Sequence, residues 1–187
     1  MVSQILLFLV NIFFSALGIL LVGRAWVYAI RLHPFNPYVQ GILRATDWLV
    51  QPLRKALSSS NRIDWASLIG GWLVALIYLL LTWTIATQQL PPLAMLAPAA
   101  LAGLLTLAQW AFNIVLWLTL IQAILSWVNP GAPVMPFLAS VTAPLLEPIR
   151  RVLPRTGSFD FSPLVLLILA QIAIMVLQGV SFSFFGI

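Results

Sequence analysis

Residues 5–30 read ILLFLVNIFFSALGILLVGRAWVYAI and carry a single charged side chain, Arg24. A membrane-spanning helix needs about 20 mostly apolar residues, because the bilayer core offers no hydrogen-bond partner to an exposed backbone group. This segment lacks the basic start and the cleavage context of a secretory signal. It therefore predicts a retained membrane-spanning helix.

Three more segments meet the same criterion: residues 65–87, 108–128 and 161–184. Residues 93–107 are also apolar, but Pro91, Pro92 and Pro98 interrupt them. A short interfacial or re-entrant helix is expected there rather than a fifth crossing, because proline breaks a helix interior and the segment is short for a span. The predicted fold class is an all-α membrane protein with four transmembrane helices.

The composition excludes several classes of protein. Of 187 residues, 62% are hydrophobic and 7% are charged, whereas a soluble domain has about 45–50% and 25%. The net charge of +5 is spread over too few residues for a nucleic-acid-binding face. The chain has no cysteine and one histidine, His33, and it shows neither a nucleophile paired with a base nor clustered metal ligands. The sequence predicts a non-enzyme without metal or cofactor.

The charged residues lie mainly in two segments. Residues 31–64 carry five basic and two acidic side chains, and residues 129–160 carry three basic and two acidic ones. Basic residues favour the cytoplasmic side of a membrane. Both segments are therefore expected to face the cytoplasm, and four crossings then place both termini on the opposite side.

An internal repeat links these two segments. Residues 51–57 (QPLRKAL) match residues 147–153 (EPIRRVL) at an offset of 96. The same offset aligns further pairs: Pro37 with Pro133, Thr46 with Thr142, and Asp64 with Asp160. Two crossings per repeat give both copies the same orientation in the membrane. The predicted domains are residues 1–90 and 91–187, each a helix, an amphipathic cytoplasmic segment and a second helix.

The polar positions of residues 38–58 recur at spacings of three and four, which predicts a helix lying in the membrane interface. Pro52 and Pro148 predict a break, with each proline opening a short second helix. The basic residues that follow these prolines are candidates for binding anionic headgroups or a partner: Arg54, Lys55, Arg150, Arg151 and Arg155. The alternative is that they only anchor the protein by the positive-inside rule.

Two carboxylates and one arginine lie near the expected helix ends. Asp64 and Asp160 each precede an apolar helix and are predicted helix caps, with a proton-carrying role as the alternative. Arg24 is expected to snorkel to the headgroups, with a functional role as the alternative. At an offset of 98, Gln122 occupies its place in the second repeat.

Polar side chains within the predicted spans are expected to form hydrogen bonds between helices rather than to line a solute pathway. Besides Arg24 and Gln122, these intramembrane polar residues are Asn11, Asn113, Gln171 and Gln178.

The doubled pattern Pro-x-Arg-(Arg/Lys), followed by Asp and an aromatic residue at the start of the next helix, resembles the YggT family of bacterial inner-membrane proteins. Its relatives include the YlmG proteins of Gram-positive bacteria, cyanobacteria and plastids. The resemblance covers nearly the whole chain in the family's two-repeat form. It implies an inner-membrane location. Together with the distribution of basic residues, which predicts cytoplasmic charged loops, this location makes both termini periplasmic.

Two functions follow as expectations. The resemblance implies a membrane scaffold, assembly or adaptor factor, since YlmG-like relatives are associated with cell division, nucleoid distribution and assembly of a plastid cytochrome complex. The alternative is a small oligomeric channel or transporter component, since the family is linked with osmotic-shock tolerance and ion uptake. The expected partners are anionic lipid headgroups and either a membrane protein or a second copy of the chain, but not nucleic acid.

Overall fold

The computed structural model describes residues 1–57, 63–153 and 160–185. Within these ranges the chain forms six α-helices and no strand. The helices are α1 (Val2–Ala29), α2 (Pro37–Ala56), α3 (Trp65–Thr87), α4 (Leu96–Val128), α5 (Met135–Val152) and α6 (Ser162–Phe185).

Four of these helices, α1, α3, α4 and α6, are long and apolar enough to cross a membrane. Many of their large apolar side chains are exposed, including Phe8, Leu104 and Ile172, as expected of surfaces that face lipid. The shorter helices α2 and α5 lie between them in the chain and have one polar and one apolar side. The predicted all-α fold, with two runs of long helix, amphipathic helix and long helix, is confirmed. The chain is a multi-pass membrane protein.

The third span differs from the prediction. Residues 93–107 do not form a separate interfacial or re-entrant helix, because a short 3₁₀ turn (Leu93–Met95) leads directly into α4, which continues for 33 residues. Pro98 is the third residue of α4, where its missing N–H has no partner within the helix in any case. At 1.5 Å per residue, α4 is about 50 Å long and exceeds the hydrocarbon core of about 30 Å.

The predicted breaks at Pro52 and Pro148 are also wrong. Each proline lies inside a continuous helix, α2 or α5. Both are exposed, as are Trp48 and Pro144 one turn earlier, so each carbonyl that loses its helical bond belongs to an exposed residue. The start of α2 follows local chemistry: the Asn36 side chain accepts a hydrogen bond from the Tyr38 amide at 3.0 Å, and Pro37 is the first helical residue.

The contacts divide the chain into two compact units, one of Met1–Ala111 with Val176–Ile187 and one of Phe112–Met175. In the first unit α1 packs along α3, and α2 lies against both. The buried face of α3 includes Ser67, Gly71 and Ala75. Small residues at this spacing let helices approach closely. Close packing matters in a bilayer because lipid tails are as apolar as the side chains, so hydrophobicity alone does not hold helices together.

The first half of α4 belongs to the same unit. The indole Nε1 of Trp72 on α3 donates a hydrogen bond of 2.8 Å to the carbonyl oxygen of Ala100. Further along α4, the ring of Trp110 is 4% exposed and lies against Gly18 of α1. The core of this unit therefore combines α1, α3 and the beginning of α4.

Candidate functional site: a buried charge cluster and two tethered amphipathic helices

Arg24 lies on α1 and is buried, with 3% of its surface exposed. Its Nη1 atom lies 2.7 Å from Asp47 Oδ1 and 2.9 Å from Thr46 Oγ1, both on α2. It also lies 3.3 Å from the carbonyl oxygen of Leu43. The prediction that Arg24 snorkels is wrong, because α2 supplies the polar partners that the guanidinium would otherwise seek among the headgroups.

Asp64 directly precedes α3 and is almost inaccessible. Its Oδ2 atom accepts hydrogen bonds of 2.7 Å from Arg54 Nη2 and Ser67 Oγ. Arg24 Nε lies 3.6 Å from the same oxygen, too far for a hydrogen bond but close enough for charge attraction. Asp64 is the N-cap residue of α3, as predicted, but its side chain accepts no hydrogen bond from the first amides of the helix, so the predicted capping bond is wrong. Its carboxylate bonds to the Arg54 guanidinium and the Ser67 hydroxyl instead.

Arg24, Asp47, Arg54 and Asp64 together form what we call the charge cluster. Its two guanidinium groups balance its two carboxylates. Asp47 and Arg54 are 37% and 40% exposed, whereas the other two are buried. Arg24 Nε and Asp64 Oδ1 make no hydrogen bond with the described residues. The charge cluster joins α1, α2 and the start of α3.

In the first repeat, Arg24 connects a spanning helix to the amphipathic helix that follows it. The second repeat makes the equivalent contact with an uncharged residue. The side-chain oxygen Oε1 of Gln122 on α4 accepts a hydrogen bond from the hydroxyl of Thr142 on α5. These residues correspond to Arg24 and Thr46 in the internal repeat. The same helix-to-helix contact is therefore ionic in one copy and neutral in the other.

The contact between the amphipathic helix and the start of the next spanning helix is an ion pair in both repeats. Arg150 Nη2 lies 2.7 Å from Asp160 Oδ2, as Arg54 does from Asp64. The Arg150–Asp160 pair is exposed, at 46% and 44% of the two side chains. Each amphipathic helix is thus tied near its end to the residue that leads into the next spanning helix.

Asp160 also accepts a hydrogen bond of 3.0 Å from the backbone amide of Ser162, the first residue of α6. Burial raises the pKa of its carboxyl group, but hydrogen bonds from Ser162 and the Arg150 guanidinium outweigh burial, and the net pKa is lowered. A lowered folded-state pKa stabilises the fold above the unfolded pKa of about 3.9 and loses that contribution as pH falls.

We therefore expect acidification from pH 7 to pH 3.5 to destabilise the protein more than it destabilises Asp160→Asn. The difference should stay below about 1 kcal/mol, because solvent screens this exposed pair. Thermal unfolding in detergent at both pH values measures it. Equal pH dependence of the two proteins would contradict the role assigned to the Asp160 carboxylate.

The five basic residues predicted to bind lipid or a partner fall into three groups. Arg54 and Arg150 are held in the ion pairs described above. Lys55 and Arg151 are exposed, and neither forms an ion pair with a described residue. Arg155 lies outside the described residues. Of these five predicted residues, Lys55 and Arg151 are therefore the exposed cations that form no ion pair with a described residue.

Among the polar residues of the spanning helices, the amide side chains of Gln109 and Asn11 form the following hydrogen bonds. Gln109 Nε2 on α4 donates to Ser181 Oγ on α6 at 3.0 Å, within the first unit. Ser15 Oγ donates to Asn11 Oδ1 at 3.0 Å, one turn along α1. The other predicted residues differ in accessibility: Asn113 on α4 is half-buried, and Gln171 and Gln178 on α6 are exposed.

Sequence reasoning missed the partners of Arg24, namely Asp47 and Thr46. A signal was present, because an arginine inside a spanning helix needs a counter-charge and the chain has only four acidic residues. Asp47 lies in the polar pattern of α2, however, and that pattern alone places it toward water. Only the packing of α2 on α1 brings the two side chains together.

Comparison with known proteins identifies the family. The CCB3/YggT family model matches residues 3–85 and 101–181. An uncharacterized Vibrio alginolyticus protein in the proC 3′ region is 33% identical over 167 residues, which cover 89% of each chain. The uncharacterized protein YggT of Escherichia coli K12 is 31% identical over 168 residues, which cover 89% of this chain and 86% of that protein. No solved structure matches the chain. The two stretches matched by the family model include the charge cluster and its counterpart in the second repeat, and the chain belongs to the CCB3/YggT family.

Proposed function

We propose that the protein is a non-catalytic adaptor or assembly factor of the bacterial inner membrane, acting in envelope assembly, division or osmotic homeostasis. The observation that supports this proposal is the ion pair that ties each amphipathic helix to the following span, Arg54–Asp64 in α2 and Arg150–Asp160 in α5. A helix held near its end presents a constant outward face, and an adaptor needs such a face to recruit a partner.

The cations left exposed support the same proposal. Lys55 and Arg151 follow the two ion-paired arginines directly and occupy equivalent positions in the repeat. Because neither is engaged by a described carboxylate, both are available to an acidic side chain of a protein partner. We propose that these two side chains contribute to the capture of a membrane-protein partner or a second copy of the chain.

The distribution of charge supports a cytoplasmic location for both amphipathic helices. Residues 31–64 and 129–160 hold all but one of the basic side chains, and basic segments favour the cytoplasmic side. With four spans, both termini are then periplasmic. We propose residues 1–90 and 91–187 as the two repeat domains, each presenting one amphipathic helix to the cytoplasm.

The contacts of the three aspartates favour a structural role for them over catalysis. Asp47, Asp64 and Asp160 all lie in ion pairs with arginines. A general acid or base must exchange a proton with a substrate, and a carboxylate held against a guanidinium is poorly placed to do so. These groups fix helices in place.

The proposal predicts that partner capture depends on Lys55 and Arg151. A photo-crosslinking residue at the equivalent positions Gln51 or Glu147 should give discrete protein adducts in native membranes. Lys55→Gln combined with Arg151→Gln should reduce these adducts at least ten-fold, because two free cations are lost, while membrane insertion and expression stay unchanged. Mass spectrometry identifies the adducts.

Arg31→Gln is the control for each single variant, Lys55→Gln or Arg151→Gln, since it removes one charge from an exposed site outside both amphipathic helices. Adducts that persist at full yield in the double variant would contradict the adaptor proposal. Ion flux through liposomes that contain only this protein would instead support the channel alternative.

A further inference from the structure

The outward face of α2 carries a continuous polar and aromatic stripe. Arg44, Trp48, Gln51 and Lys55 follow one another at spacings of four, three and four, so they lie on one side of the helix. All four are exposed. We call these four residues the basic stripe. It contains two cations and no acidic residue.

The basic stripe points away from the core of its unit. The buried residues of α2 are Val39, Thr46 and Val50, which lie on the opposite side of the helix. The one carboxylate of α2, Asp47, is turned toward Arg24 at 2.7 Å. The charge of the stripe is therefore not neutralised from within its own helix.

Trp48 lies between the two cations and is 64% exposed. Its indole Nε1 donates a hydrogen bond of 3.0 Å to the carbonyl oxygen of Ala45, which holds the ring along the helix. Tryptophan has an apolar body and a polar edge, and it prefers the headgroup level of a membrane. A large exposed indole between Arg44 and Lys55 is suited to a lipid surface.

The equivalent face of α5 provides an internal contrast. The corresponding positions are occupied by Ser140, Pro144, Glu147 and Arg151, all exposed. One acidic and one basic side chain cancel, and no aromatic residue is present. Of the two amphipathic helices, α2 therefore combines exposed cations with an exposed indole and α5 does not.

We propose that the basic stripe of α2 binds the headgroups of anionic phospholipids. Arg44 and Lys55 are 11 residues apart, about 16 Å along the helix axis, so one small anion does not reach both. A surface with many phosphates does. The proposal uses the interfacial position of α2 that the adaptor proposal assumes, but it requires no protein partner.

The test is the affinity of the purified full-length protein for phosphatidylglycerol, measured by native mass spectrometry as an apparent Kd. Phosphatidylcholine with the same acyl chains serves as the neutral comparison. Each cation near an anionic surface contributes about five-fold to binding. Arg44→Gln and Lys55→Gln should each weaken phosphatidylglycerol binding about five-fold, and the double variant should weaken the overall binding of two phosphatidylglycerol molecules about 25-fold, with no change for phosphatidylcholine.

Arg151→Gln is the matched control, because it removes the equivalent charge from α5, and it should leave the apparent Kd unchanged. An equal weakening in Arg151→Gln, or equal affinity for the two lipids, would overturn the proposal. Competition by free glycerol phosphate would also overturn it by indicating a site for a soluble anion. If Lys55→Gln lowers partner crosslinking but leaves lipid affinity intact, the lipid site fails and the adaptor proposal stands. If Lys55→Gln lowers lipid affinity but leaves partner crosslinking intact, the adaptor proposal fails and the lipid site stands.

Discussion

Arg24→Gln is expected to lower the free energy of unfolding by about 3 kcal/mol, the low end of the range for breaking a buried ion pair. The substitution leaves Asp47 without its 2.7 Å partner and leaves the buried Asp64 with one guanidinium instead of two. Glutamine is already present at the equivalent Gln122, so its shape suits this type of helix contact and the loss reports the missing charge. Unfolding in mixed detergent micelles, followed by tryptophan fluorescence, measures the change.

Two further variants test whether the charges act as a unit. The double variant Arg24→Gln with Asp64→Asn removes both buried charges, and it should be less damaging than the sum of the single variants by about 0.5–3 kcal/mol. Gln122→Ala breaks a neutral hydrogen bond and should lower stability by only about 1 kcal/mol. A loss below about 0.5 kcal/mol in Arg24→Gln would mean that the guanidinium reaches the headgroups in the membrane.

The spans and the repeat could be predicted because each depends on local properties of the chain. A run of apolar residues such as 65–87 must be helical in a bilayer wherever its neighbours lie. The repeat depends on register alone, and the pairs Thr46–Thr142 and Asp64–Asp160 that keep this register prove to form matching contacts. Alignment of the copies thus identified residues with equivalent positions before their partners were known.

The partners themselves could not be predicted, because they depend on how helices pack. Sequence reasoning treated Asp64 as a local cap and Arg24 as a residue seeking water, since each interpretation needs only neighbouring residues. In the structure both are satisfied across helices, by Arg54 and by Asp47. A sequence pattern is least informative for polar side chains that can find a hydrogen-bond or ion-pair partner either among their neighbours in the chain or on another helix.

The prolines show a second limit. Proline has a strong average effect on a helix, yet Pro52, Pro98 and Pro148 all lie within helices. Their effect depends on position: Pro98 lies in a first turn, and the other two lie on an exposed side. Sequence specifies the missing N–H, but the fold decides whether the carbonyl that loses its bond is buried.

The two repeats use one architecture with different chemistry. The first buries charge between α1, α2 and α3, and the second uses the neutral Gln122–Thr142 bond with an exposed ion pair. Buried charge makes the fit of a helix sensitive to the loss of one partner, whereas a neutral bond tolerates such a loss better. The position of α2 should therefore be more strictly defined than that of α5.

Gly18→Ala is expected to lower the free energy of unfolding by about 3 kcal/mol, at the upper end of the range for overpacking. A β-carbon at residue 18 would lie 2.0 Å from Trp110 Cε3 and 2.2 Å from Cζ3. The indole cannot easily swing away, because it is 4% exposed and its ring centre lies 6.1 Å from that of Tyr78. The methyl group would therefore force α1 and α4 apart. Unfolding in mixed micelles measures this effect also.

Replacing glycine by alanine in a helix by itself raises stability, because alanine has the higher helix propensity. The control must therefore also be a glycine-to-alanine change in a helix. Gly41→Ala on α2 makes the same change where a β-carbon meets nothing within 4 Å, and it should be neutral or raise stability by up to about 1 kcal/mol. Trp110→Leu opens space beside residue 18 and should recover part of the loss when combined with Gly18→Ala. Equal stability of Gly18→Ala and Gly41→Ala would show that α1 and α4 do not meet at this glycine, and the close approach of the two spans would have to be abandoned.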